Sequence, residues 1–190
     1  FPNQLFEINN QFIDVKDVGL IQDNLFFGCD TQWQIKFHSQ KVVFHKATME
    51  AYEENLKEMA LNVIHIKHKR QRRTEDILKD IAEIGFNYFI TYEPFDWSLE
   101  KRIKEFCKKN KIKLEIKQNE MFLTNSDLTD ETINQKKING MQKFYKRQRQ
   151  NLDILIEKDG SPEGGEWSFD KMNRKKLPKS IKVPNIPVIN

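Results

Sequence analysis

The chain has 190 residues, 38% hydrophobic and 32% charged, with fourteen Phe; that suits one domain with a tail and a packed interior, not a solvated chain. A formal net charge of +4 excludes an acidic solvating tail and does not by itself point to nucleic acid. Cys29 and Cys107 stand far apart with no CxxC pair, which excludes a disulfide framework, a zinc finger and a self-contained iron–sulfur site, and no apolar run approaches the roughly 20 residues of a membrane helix.

The chain opens at Phe1 without Met and shows no signal peptide, so a lost N-terminal segment is expected. The apolar run NLFFGC at 24–29 reads as a strand. Across 37–61, Val42, Val43, Met49, Tyr52, Leu56, Met59 and Ala60 recur at helical spacing, mostly on one face. NVIHI at 62–66 is the next strand. A helix over 74–84 has Thr74 as N-cap, Gly85 as its stop and Ile77, Leu78, Ile81 and Ile84 as its buried stripe. A strand at 87–92 precedes a helix at 96–110 with Leu99, Ile103, Phe106 and Cys107 inward. A strand at 112–116 follows, and 121–123 is a candidate for one more.

Strands alternating with helices predict an α/β fold: a Rossmann-like, doubly wound parallel sheet covered on both faces. Its first strand is expected to be missing or partial, ending in Phe1, so that 2–6 forms the loop at its carboxyl end. Ligands of open α/β sheets bind there. Beyond Thr124 the pattern changes to a polar helix at 127–137, an amphipathic helix at 140–156, a loop at 158–167 and an extended tail punctuated by Pro178, Pro184 and Pro187. The division is therefore an α/β domain over 1–125 and helices with a Pro/Gly-rich linker over 126–190. Residues 136–182 carry 13 Lys/Arg against 6 Asp/Glu, so the basic excess sits in the last quarter.

No GxGxxG or GxxxxGK[ST] is present, and Gly164-Gly165 reads as a turn. His38 and His45 are seven apart on one helix face, wider than the usual metal pair, and read as core or stacking residues. KHKRQRR at 67–73 reads as a solvated basic loop or as a phosphate contact. KFYKRQR at 143–149 interleaves basic and aromatic residues, suiting either a nucleic-acid face or an amphipathic packing helix. Trp33, Trp97 and Trp167 read as core or interface residues rather than an electron relay.

In the last quarter the residues become specific. MQKFYKRQRQNLDILI, then DGSPEGGEWSFDKMNRKKLP, resembles the photolyase/cryptochrome superfamily, in its branch of iron–sulfur photolyase-related proteins. The motif stands here as Phe144-Tyr145-Lys146-Arg147, Pro162, Gly164-Gly165, Trp167, Phe169-Asp170, Asn173-Arg174 and Pro178. FPNQLF at the start is similar to the family's first-strand loop, and KFHSQKVVFHKATMEAY to its first long helix.

The resemblance implies an N-terminal antenna and scaffold domain of a light-driven DNA repair enzyme, a (6-4)-type deoxyribodipyrimidine photolyase-related flavoprotein. A domain of a blue-light cryptochrome, or a non-enzymatic nucleotide-binding-like module, stays open beside it. FAD and a [4Fe-4S] cluster belong to the family's C-terminal domain, the expected partner; two cysteines cannot supply four thiolates. No catalytic residue is expected in this chain. A ribityllumazine antenna would meet Asn3, Gln4, Thr31, Gln34 and His45. Several relatives have Gly-Asp where Pro2-Asn3 stands, and Glu and Tyr where Thr31 and Gln34 stand, so a carboxylate facing the pigment is gone. DNA or the C-terminal domain would meet Lys143, Lys146, Arg147 and Arg149. A cytoplasmic, bacterial-type location without membrane contact goes with this reading.

Overall fold

The computed structural model describes residues 1–8, 12, 14–124, 140–169, 175–176 and 178–182. They belong to two units, Phe1–Met121 and Phe122–Asn190.

In the first unit, β1 (Asp17–Ile21) pairs in parallel with β2 (Asn62–Ile66), Val18 opposite Val63 and Leu20 opposite His65. Parallel strands need a long crossover. Here it holds α1 (Asn24–Phe27) and the 20-residue α2 (Ser39–Glu58). After α3 (Thr74–Glu83), β3 (Tyr88–Tyr92) pairs in parallel with β4 (Lys113–Lys117), and α4 (Trp97–Asn110) makes the crossover. The fold is mixed α/β with two two-stranded sheets; among the described residues no ladder joins β1 to β3, so the expected single doubly wound layer is not formed by them.

Asp96 starts α4 by accepting the Leu99 N–H at 3.0 Å, and Lys111 ends it in the left-handed region at φ 56°. The core joins Leu20 and Ile21 of β1, Phe26 and Phe27 of α1, Met49 of α2, Ile77, Leu78 and Ile81 of α3, and Leu99, Ile103, Phe106 and Cys107 of α4. The α4 stripe is thus as the spacing predicts.

Several expectations need correction. Residues 24–29 are not a strand: Asn24–Phe27 is the helix α1, closed by Gly28 at φ 70°. The strand lies earlier, at Asp17–Ile21. Thr74 is the first residue of α3 rather than its cap; Arg73 holds the cap position, and the Asp76 carboxylate accepts the Arg73 N–H at 3.1 Å. Ile84 lies past the last helical residue, Glu83, as the C-cap of α3, and is 63% exposed rather than part of the buried stripe. Val43 and Met59 of the α2 stripe face solvent, while Met49 and Leu56 are buried. Residues 121–123 form no strand, and the helix expected over 127–137 lies outside the described residues. Trp33 and Trp97 are exposed, not core.

In the second unit α5 (Met141–Leu152) ends at Asp153, with φ 52°. An antiparallel bridge pairs Ile156 with Pro162, and a 3-10 turn covers Glu163–Gly165. The side chains α5 buries are Gln148 and Arg149; Met141 and Tyr145 are exposed.

Candidate functional site

Three polar residues follow the last residue of β1. Gln22, Asp23 and Asn24 are all buried, at the end of the sheet where α/β proteins receive ligands. Asp23 caps α1 by accepting the Leu25 N–H at 2.8 Å. Asn24 donates to the carbonyls of Lys69 (3.0 Å) and Arg72, and Gln22 accepts the His68 N–H at 3.1 Å. The basic loop 67–73 is therefore fastened to the end of β1. Its Arg72 and Arg73 pair with Asp80 and Asp76 of α3, while Lys69 and Arg70 are exposed.

A second network crosses from α4. The Arg102 guanidinium forks onto Asp30 at 2.6 and 3.0 Å and donates to Thr74 Oγ1 and Gln32 Oε1, both at 3.2 Å. Asp30 also accepts the N–H groups of Gln32 and Trp33 at 2.9 and 2.8 Å. Burial works to raise the Asp30 pKa, but the Arg102 and Trp33 hydrogen bonds outweigh it and hold the carboxyl below its usual range. Asp23 is the opposite case: burial pushes its carboxyl above the ordinary value. The Phe1 amine is lowered to about 6 by burial, with Asp23 opposing the shift.

Several buried polar atoms here have no hydrogen-bond partner among the described residues: both side-chain atoms of Asn3, Asp23 Oδ2, Asn24 Oδ1, His68 Nδ1 and both ring nitrogens of His45. Buried polar groups are normally paired, so each is a position where a ligand atom or a water would be accepted. His45 and His68 flank the Phe27 ring, at 6.1 and 5.1 Å between centroids. Burial, helped by Lys41 and Lys46 respectively, holds both histidines below their usual pKa, which favours neutral imidazole.

The expected site residues are placed unevenly. Asn3 has its amide buried and unpaired, and His45 lies half-buried on α2. Gln4 is engaged elsewhere: its Nε2 donates to the Tyr92 carbonyl at 2.8 Å and its Oε1 accepts from Thr91. Thr31 and Gln34 lie exposed in the loop between α1 and α2. No hydrogen bond among the described residues joins these five side chains to one another. Sequence reasoning passed over Asp23, Asn24, Asp30 and Arg102. Placing the strand at 24–29 put Asn24 inside it and Asp23 just ahead of it, when both are residues that leave a strand's carboxyl end.

In the second unit, Lys143 and Lys146 are exposed and Arg147 is half-buried. Arg149 is 6% exposed; its guanidinium donates to the carbonyls of Ile154 (3.2 Å), Leu155 and Trp167 (3.4 Å). Lys146 stacks over the Trp167 ring at 4.5 Å and Arg149 at 5.4 Å. His38 caps α2, its Nδ1 accepting the Gln40 N–H at 3.3 Å. Among the described residues no three His, Cys, Asp or Glu side chains gather as a metal site, and no helix is long and apolar enough to cross a membrane.

The sequence model of the deoxyribodipyrimidine photo-lyase-related protein family matches residues 1–190. The chain belongs to that family. It is similar to an uncharacterized protein of Acanthamoeba polyphaga mimivirus, 31% identical over 191 residues, which are 95% of this chain and 94% of the relative. The family match suggests a photolyase-related function. The relative's printed name adds no activity to that.

Proposed function

We propose that the chain is the antenna-side α/β scaffold of a light-driven DNA repair flavoprotein of the (6-4) type and iron–sulfur branch. FAD and the cluster would be carried by a C-terminal domain outside these residues. The family match over 1–190 is the observation that supports this reading. The chain's own thiols do not fit a four-thiolate cluster, because Cys29 and Cys107 are its only two.

The donor set suits a ribityllumazine. The unpaired amide of Asn3 offers one donor and one acceptor to a ring carbonyl and ring nitrogen, and a neutral His45 offers one of each. Thr31 and Gln34, on the adjoining loop, complete the set if the loop turns inward on binding. Gln4 would act indirectly, by holding the loop that carries Asn3 against β3. When bound, the pigment would absorb light and pass excitation to a flavin; these residues would bind it, orient it and exclude water. In the second unit, Lys143, Lys146 and Arg147 would meet DNA phosphate or the C-terminal domain. Arg149 would shape that face from within.

Fluorescence titration of a ribityllumazine into the chain tests the pocket. Saturable binding weakened about tenfold by Asn3→Ala and by His45→Ala is expected, roughly one lost hydrogen bond each. Binding that ignores both changes places the pigment elsewhere, and no binding removes the antenna. For DNA, Lys143→Ala and Lys146→Ala should each lower the salt slope of binding by about one if they contact phosphate.

A further inference from the structure

Gln22 stands between two histidines, His65 of β2 and His68 of the basic loop. Its Oε1 accepts the His68 N–H at 3.1 Å, and its Nε2 lies 3.0 Å from Nε2 of His65. A backbone N–H can only donate, so the first contact fixes which end of the amide is oxygen. The NH2 end then has to donate to His65, and His65 Nε2 has to be a bare acceptor. On the other side of the ring, Nδ1 lies 2.5 Å from Glu53 Oε2 on α2. Lys57 donates to the second oxygen of that carboxylate at 2.6 Å. Hydrogen bonds from Lys57 and His65 hold the Glu53 carboxyl below its usual range, so it accepts and Nδ1 carries the hydrogen. Partners on both sides thus specify a neutral His65 with its proton on Nδ1. The His65 side chain is 6% exposed, so water is poorly placed to replace either partner.

We propose that His65 is a proton-operated switch on the basic loop 67–73, with Gln22 as its lever. A second proton goes to Nε2 and turns it into a donor, which then faces the NH2 of Gln22. The amide relieves that conflict by turning over, so that its oxygen accepts from His65. The two donors sit at opposite ends of the amide, so the oxygen serves one of them at a time, and the His68 N–H loses its acceptor. Around the imidazole, β1 presents Leu20 and the following Gln22, α2 presents Glu53 with Lys57 behind it, and the loop continues with Lys67 and His68. Asn24 keeps its hold on the carbonyls of Lys69 and Arg72, so the change is confined to the root of the loop. That root carries the His68 ring beside Phe27 and lies next to the exposed Lys67, Lys69 and Arg70. Histidine is the side chain suited to such a device, because it changes charge in mild acid.

The test is NMR on the 190-residue chain, with the ring nitrogens of His65 resolved from those of His45 and His68 and amide exchange read in parallel. At neutral pH His65 should show the Nδ1–H tautomer; the Nε2–H tautomer overturns the proposal. On acidification, protection of the His68 N–H, corrected for the intrinsic exchange rate, should fall about tenfold in step with the His65 titration, the worth of roughly one hydrogen bond. The Gln22 N–H, bonded to the Ile66 carbonyl, should stay protected, which separates the switch from general unfolding. Gln22→Glu supplies an acceptor on both sides, so in that variant the His68 N–H should stay protected through the His65 titration. Loss of His68 protection that follows the ring of His68 or His45 instead, that the Gln22 N–H shares, or that persists in Gln22→Glu overturns the proposal. A His65 ring that stays neutral down to acid unfolding does the same.

Discussion

Two buried groups dominate at the scale of the residue. Arg102 is 9% exposed and Asp30 4%, and the fork between them is the only charge pair in the described core whose members are both buried. Removing one partner leaves the other desolvated and unpaired, which typically costs about 3–5 kcal/mol. Arg102→Met and Asp30→Asn should each approach that loss in urea unfolding, and the double variant should lose much less than the two together. The Asp30 carboxyl is held below its unfolded value of 3.8, so its contribution is full above that pH and drains away as pH falls through the lower folded value. Burial likewise holds His45 and His68 below their unfolded value of 6.5, so just under that pH the unfolded chain binds more protons than the folded one. Stability should therefore rise with pH up to about 6.5, and thermal melts of His45→Gln and His68→Gln should show that rise flattened.

Among the elements, α1 is the informative case. A four-residue apolar run cannot be told from a strand by periodicity. What makes it helical is its ends: Asp23 caps it, and Gly28 closes it in the left-handed region. A Cβ at Gly28 would sit 2.7 Å from the Phe37 nitrogen and 2.8 Å from the Ile35 carbonyl. Gly28→Ala should then lose about 2–4 kcal/mol, from left-handed strain and overpacking together, and shift the urea midpoint accordingly. A loss under about 0.5 kcal/mol would mean that the 35–37 segment yields freely. The stripe of α4 was legible because it repeats, and all four inward residues assigned to it are buried, whereas Val43 and Met59 of the stripe assigned to α2 are exposed. β1 was not legible, since DVGLI carries an Asp and a Gly and is flanked by Lys16 and Gln22. The site was hidden for a related reason. Gln4 meets Tyr92 and Arg102 meets Asp30 across 88 and 72 residues, and no local pattern encodes such pairs. Arg149 shows the same limit, being basic by composition and structural by its three carbonyl partners.

For the molecule as a whole, the basic excess of 136–182 and the crevice of the first unit lie in separate units, so pigment and phosphate would be handled by different parts of the chain. Salt should therefore weaken any DNA contact while leaving lumazine affinity nearly unchanged, since only the first depends on counterion release. The first unit is itself built of two strand–helix–strand halves, β1–α2–β2 and β3–α4–β4, and the Arg102–Asp30 fork ties one to the other. That architecture has a kinetic consequence. The strand pairs within the two halves, Asp17 with Asn62 and Tyr88 with Lys113, are closer in sequence than the 72 residues of the tie, which must wait until both halves stand, because distant contacts carry the larger loop-closure cost. Interactions made after the rate-limiting step slow unfolding without speeding folding. In stopped-flow experiments Arg102→Met should thus steepen the escape from the native state by about a hundredfold while the refolding rate stays within about twofold of the parent; the tie then works as a latch on a structure already assembled, setting how long the two halves stay together and not how fast they meet.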